Sequence, residues 1–301
     1  MKLFVLGGSG LIGNELVKQA SLSHNVIATY NNRSLKLPNV SMIKFSFPDD
    51  FENIKKIIIE EKPDVIINLI AHTNLDYCES NKKNTYELNV ILPEKISNIC
   101  SEIHSKFIHI STDYVFDGKN GNYNESDEVN PINYYGYTKK MSEMITLKNP
   151  TTIILRTSLV YDSKLESNFL KFLFKKLNLK EKILVYDDIL ITPILLDELI
   201  ESILTIIPSN NYGIFHISGE TCVSRFEFAK YLAKVFGFNE NFIIPISFNS
   251  IEHKVLRPHN TCLKNNKIKE MFEIKFSTLQ DGFNIIYEKY RSIDTKSTEI
   301  L

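Results

Sequence analysis

Leu3-Phe4-Val5-Leu6-Gly7-Gly8-Ser9-Gly10-Leu11-Ile12-Gly13 reads as an apolar strand, a glycine turn and the first turn of a helix. Four of the chain's 11 glycines fall inside it. A strand that turns at once into a helix leaves free N–H groups and a positive dipole end at the turn, where an anion binds. Gly7 would permit the tight turn, Gly10 would let a pyrophosphate approach the backbone, and Gly13 would let the helix pack close to the sheet. The stretch therefore predicts dinucleotide binding, with Leu11 and Ile12 at the helix start beside the ligand.

Outward from this unit the rhythm repeats. Asn25–Tyr30, Met42–Phe45, Asp64–Ile70, Lys106–Ile110 and Thr152–Arg156 read as strands. Leu11–Ala20, Asp50–Glu61 and Asn84–Ser101 carry apolar residues at helical spacing. Runs such as Val65-Ile66-Ile67 are apolar without alternation, as in a sheet covered on both faces. The expected fold is α/β, a doubly wound parallel sheet. After about residue 160 the pattern changes to helices at Phe169–Leu177, Leu195–Ile206, Arg225–Phe236 and Thr278–Tyr290 with short strands between. A nucleotide-binding domain over 1–160 is therefore expected, followed over 161–301 by a smaller α+β lobe that is interleaved with it. The polar tail from Ser292 to Leu301 is expected to fray.

Bulk composition narrows the function. The chain has 301 residues, 35 Lys+Arg against 36 Asp+Glu, and a formal net charge of -1. No basic field is available to hold nucleic acid or an anionic membrane. No apolar run reaches the roughly 18 residues of a membrane span. The apolar N-terminus stops at Gly7, too soon for a secretory signal. Cys78, Cys100, Cys222 and Cys262 make no CxxC pair and read as free thiols in a reducing cytoplasm. His72, His104 and His109 lack metal-ligand spacing, so no metal is expected.

Tyr135-Gly136-Tyr137-Thr138-Lys139 puts Tyr135 and Lys139 on one helix face. A lysine ammonium beside a phenol is expected to lower the phenol's pKa from about 10, making Tyr135 a proton donor to a ketone at neutral pH. The fifth strand ends in Ser111-Thr112-Asp113. Thr112 is placed to polarise a substrate carbonyl, with Ser111 as its rival. After the second strand the chain reads Tyr30-Asn31-Asn32-Arg33, with no carboxylate for a ribose 2′-hydroxyl. Arg33 either pairs with a 2′-phosphate, which favours NADPH over NADH, or is an exposed loop residue.

Together these segments resemble the dTDP-4-dehydrorhamnose reductase family of extended short-chain dehydrogenases, which share the Rossmann fold. The resemblance runs over nearly the whole chain. Its most specific parts are Ser111-Thr112-Asp113-Tyr114-Val115-Phe116-Asp117-Gly118 and Arg257-Pro258-His259-Asn260. It implies a cytoplasmic, NAD(P)H-dependent reductase of the C4 ketone of a nucleotide sugar, with a homodimer as the family's assembly. It implies Thr112, Tyr135 and Lys139 as catalytic residues, with Tyr135 and Lys139 also touching the cofactor. Ala71, His72 and Thr73 would contact the cofactor after the fourth strand, and Thr112, Asp113 and Arg257 the sugar nucleotide. The chain departs from the family at Tyr30, Lys44, Leu159 (where members often carry Trp) and Pro193-Ile194. Other sugar-nucleotide reductases or epimerases, and a non-catalytic NADP-binding regulatory subunit, remain as alternatives.

Overall fold

The computed structural model describes residues 1–298, and side chains through 292; residues 299–301, at the end of the polar tail, lie outside the described residues. Six strands follow in order: β1 (Lys2–Leu6), β2 (Asn25–Tyr30), β3 (Val40–Lys44), β4 (Val65–Asn68), β5 (Lys106–Thr112) and β6 (Thr152–Thr157). Short strands β7 (Val160–Tyr161), β8 (Ile183–Tyr186), β9 (Leu190–Ile191) and β10 (Ile194–Leu195) precede β11 (Gly213–Ile217). Strands β12 (Val223–Ser224) and β13 (Ile243–Ile246) complete the set. The main sheet has seven parallel strands in the order β11-β6-β5-β4-β1-β2-β3. The α/β, doubly wound parallel fold is as expected. Strand order reverses beside β1, so a crevice opens at the carboxyl ends of β1 and β4.

Successive residues of a strand face opposite sides, and here both sides are apolar. Leu3 and Val5 of β1 join a core with Val65, Ile67 and Ile108. It includes Leu16 and Val17 of α1 (Leu11–Ala20) and Leu199 and Ile203 of α8, which spans Leu196–Ile206. Phe4 and Leu6 join a second core with Ile66 and Phe107. It takes in Ile54 and Ile58 of α2 (Phe51–Glu61) and Ile96 of α5 (Leu92–Glu102). A third core belongs to the second lobe. Leu173 of α7 (Asn168–Asn178), Phe228 of α9 (Arg225–Phe236) and Phe283 of α11 (Leu279–Thr298) meet there. Helix α11 runs on past Tyr290, through the first part of the tail expected to fray. The lobe returns chain to the first unit, because β11 pairs with β6 and α8 packs on α1.

Two details differ from the sequence reading. The stretch 84–101 is not one helix: α4 (Lys82–Tyr86) passes through a π-helical turn at Glu87–Ile91 before α5. Periodicity cannot show a single extra residue per turn. Cys222 and Cys262 form a disulfide across 40 residues, with Cα atoms 5.6 Å apart, so only Cys78 and Cys100 are the free thiols expected of all four. The pairing arises because β12 and the 260–263 segment both run beside β9. Among the described residues no helix is long and apolar enough to cross a membrane.

Gly7 has φ +85°, the left-handed region that favours glycine. A Cβ on Gly13 would lie 2.1 Å from the Gly7 carbonyl oxygen, a backbone atom that cannot step aside. On Gly10 the nearest atom would be 3.4 Å away, an ordinary contact. Gly13→Ala should therefore cost about 2–3 kcal/mol of stability, the range of overpacking. Gly10→Ala should cost no more than about 1 kcal/mol, since Gly10 is the extended N-cap of α1, where Ala is only modestly worse than Gly. Urea midpoints of the two variants check this, and equal midpoints would refute it.

Candidate active site

The carboxyl edge carries two grooves that meet at Leu69, Ile70 and Ala71. The first, of 530 Å³, is lined by Gly7, Ser9 and Gly10 of the turn, by Tyr30, Asn31, Phe45 and Phe47, and by His72. No side chain caps the N-terminus of α1, and its first turn holds no acidic residue. Its leading N–H groups are thus left for an anion. The second groove, of 490 Å³, is lined by Leu11, Ile12, Thr73, Thr112, Asp113, Tyr135, Lys139, Leu159 and Arg257. Of the residues singled out from sequence, these are brought together around one crevice. Gly13 lies beneath the turn, and Arg33 is exposed on the 31–39 loop, outside the lining of either groove. Among the described residues no three His, Cys, Asp or Glu side chains gather as a metal site.

Helix α6 (Tyr134–Thr146) carries Tyr135 and Lys139. Asn133 starts it, its side chain accepting from Gly136 N–H at 2.9 Å and donating to Leu256 O at 3.1 Å. The second bond ties the residue before Arg257 to the start of α6. Within the helix, Glu143 reaches back to the sheet and receives both Nε and Nη2 of Arg156 on β6, at 3.0 and 2.7 Å. Both side chains are about 3% exposed. Ser111 donates its hydroxyl to the same carboxylate.

Thr112 donates to Asp113 Oδ1 at 3.0 Å and accepts from Tyr114 N–H at 3.2 Å. Asp113 is buried and also receives the hydroxyls of Ser158 (2.8 Å) and Thr261 (2.6 Å). Burial raises its carboxyl above the usual range against these donors. One carboxylate thus gathers the end of β5, the residue after β6 and the 257–263 segment.

The expected depression of the Tyr135 phenol is absent. Burial raises it, opposed by the hydrogen bond with Thr112. Lys139 Nζ donates to Ile110 O at 2.7 Å and lies 3.0 Å from His109 Nε2. Burial lowers Lys139 itself to about 7, against the pull of Glu143.

One lining residue, Arg225, and one buried residue behind the crevice, Asn89, went unseen in the sequence. Arg225 opens α9 behind a capping box of Ser224 and Glu227, lies 5.1 Å over the Phe169 ring and leaves a buried Nε with no partner. The Ser-x-x-Glu spacing was there to mark the helix start, but nothing local shows which groove that start faces. Asn89, in the π turn, accepts from His72 N–H at 2.8 Å and donates to His72 O at 2.9 Å and to Thr138 at 3.1 Å. It fastens the Ala71–Thr73 loop to α6.

Comparison with known proteins shows the family and the fold. The family model described as RmlD substrate binding domain matches residues 1–292. A dTDP-4-dehydrorhamnose reductase of Aggregatibacter actinomycetemcomitans is 30% identical, over 93% of this chain and 96% of its own. A probable low-salt glycan biosynthesis reductase of Haloferax volcanii is 27% identical, over 93% and 95%. The crystal structure of dTDP-4-dehydrorhamnose reductase from Bacillus anthracis in complex with NADP superposes with a TM-score of 0.83 at 23% identity. It covers 96% of this chain and 99% of that one.

The buried pair makes a sharp test. Arg156→Met leaves Glu143 charged and unpaired, and should cost about 3–5 kcal/mol by urea denaturation. Adding Glu143→Leu should restore most of that loss, because replacing both charges removes the unpaired ion. A single variant as stable as the parent would show that the pair does not hold α6 to the sheet.

Proposed function

The chain belongs to the RmlD substrate-binding-domain family, and we propose that it reduces the C4 ketone of a nucleotide-activated 4-keto-6-deoxy sugar, dTDP-4-dehydro-L-rhamnose giving dTDP-L-rhamnose. The observation that carries the reading is the continuity of the two grooves: the one lined by the glycine turn opens directly onto the one lined by Thr112, Tyr135 and Lys139.

The first groove fits a nicotinamide dinucleotide. The uncapped start of α1 faces it, Gly7 and Gly10 line it, and Phe45 and Phe47 offer apolar surface at its far end. Leu11, Ile12, Ala71, His72 and Thr73 would hold the dinucleotide's middle and its nicotinamide end. When bound, the nicotinamide supplies the hydride. No carboxylate at the end of β2 lines the groove to repel a 2′-phosphate, so NADPH is preferred, with NADH as the second donor.

The second groove does the rest. Thr112 hydrogen-bonds the ketone oxygen and Tyr135 delivers a proton to it. Lys139 holds the ribose beside the nicotinamide. Asp113 orders the hydroxyl cluster against the sugar. Arg225 and Arg257 face the same groove, and two guanidinium groups there suit the diphosphate of a sugar nucleotide. Leu159, lining the sugar end, shapes the hexose site.

The reading is tested by following NADPH and NADH oxidation with a panel of nucleotide 4-keto-6-deoxy sugars. Turnover of dTDP-4-dehydro-L-rhamnose is expected. Turnover of another member alone would keep the chemistry and change the sugar, and none at all would refute the proposal. Tyr135→Phe should lower kcat by about 10²–10⁴, the worth of a positioned general acid, while NADPH still binds. Arg225→Met should instead raise KM for the sugar nucleotide about tenfold or more with kcat little changed.

A further inference from the structure

His109 has no role in the reaction described above, yet it is buried within hydrogen-bonding distance of Lys139. Its ring is held from both ends. Nδ1 lies 3.2 Å from Asn68 Nδ2, at the carboxyl end of β4. The Asn68 amide has only one orientation, because its Oδ1 accepts from Ile70 N–H at 3.1 Å. An NH2 group only donates, so Nδ1 is the bare acceptor and the ring proton sits on Nε2. On that side Ser142 Oγ, 3.1 Å away, gives its own proton to Lys139 O at 2.9 Å and turns lone pairs toward the ring. The other neighbour of Nε2 is Lys139 Nζ. An ammonium has three protons and no lone pair, so it opposes an Nε2–H donor. A neutral amine keeps one lone pair to accept it while donating to Ile110 O.

We propose that Asn68 and His109 are positioning residues that set the charge of Lys139, a fixed imidazole tautomer holding the resting lysine as an amine. The inference rests on the catalytic role given to Lys139 above. The ionisable neighbours are few. Helix α6 contributes Tyr135 and Glu143, and Glu143 favours the ammonium but is paired with Arg156 of β6. Strand β5 contributes His109, and the turn after it Asp113, which is ringed by three hydroxyls. His216 of β11 lies behind, against Arg156, and Cys78 of α3 (Leu75–Ser80) lies on the Tyr135 side.

The consequence has a definite sign. In the reduction the Tyr135 O–H bond breaks as the new alcohol O–H forms, leaving a phenolate that an ammonium stabilises and an amine does not. Lys139 is lowered to about 7, so it is ammonium below that pH and amine above it. Reduction therefore slows as pH rises through Lys139's titration.

The first experiment needs no substrate and no cofactor. Long-range 1H–15N NMR of histidine rings in the free protein, assigned with His109→Gln, should show Nε2–H and a bare Nδ1 from about pH 6 to 9, around the normal histidine range. A proton on Nδ1, or a doubly protonated ring, overturns the proposal. In Asn68→Asp the carboxylate would accept an Nδ1–H, move the proton off Nε2 and let that nitrogen receive the ammonium. The Lys139 titration, read from 13Cε shifts of labelled lysine, should then rise by about one pH unit or more. The falling limb of kcat/KM should move up with it, and a Lys139 titration that stays in place overturns the proposal. If the panel of keto-sugars is not turned over at all, both NMR readouts still decide this inference on their own.

Discussion

The bidentate pair between Glu143 and Arg156 is the contact on which the arrangement of the crevice depends. A buried guanidinium and carboxylate must be matched in geometry, because either one alone in this interior is strongly unfavourable. Arg156 is fixed by its place in β6, between β5 and β11, with Phe116 5.1 Å beneath it and His216 at 3.4 Å. Glu143 must follow it, and α6 must follow Glu143. Lys139, one turn earlier, is then brought under the Ile110 carbonyl, and Tyr135 one turn before that reaches the groove. The helix has no freedom to rotate its catalytic face away from the strand end without unpairing two charges.

Other buried polar groups extend the same logic around the crevice. Asn89 exists at its position because a π turn shifts the register of the chain between α4 and α5, aiming an amide at the His72 backbone. Asp113 does the equivalent on the opposite side, joining three segments that are distant in sequence through three hydroxyls. Such networks are favourable only when every member finds a partner. The crevice is therefore built by donor and acceptor matching, while the layers beneath it are built by apolar packing.

Much of this was legible along the chain. The glycine turn after β1, the apolar strands and the helix bearing Tyr135 and Lys139 are all local patterns, each governed by a period of two or 3.6 residues or by a turn's backbone angles. The site residues Thr112, Asp113, Tyr135, Lys139 and Arg257 were named from motifs, and they line one groove. Arg33, named from its distance beyond β2, does not line either groove, since a loop residue's distance along the chain does not fix where it points. The lysine's effect on the phenol was inferred from i,i+4 proximity alone. It failed because burial raises the phenol, and the Lys139 amino group is turned to the Ile110 carbonyl and the His109 ring.

The sequence by itself determined the layer architecture and which helix would carry the reactive pair, because those follow from near-neighbour periodicity and hydrophobic burial. Only the tertiary structure decided the surroundings of that pair, the partner of Cys222, the placing of Arg225 in the groove and the joining of β11 to a sheet otherwise complete by residue 157. Each of these depends on groups dozens of residues apart meeting at hydrogen-bonding or covalent distance. Burial then sets whether a charge can persist there, and burial belongs to the packed chain rather than to any segment of it.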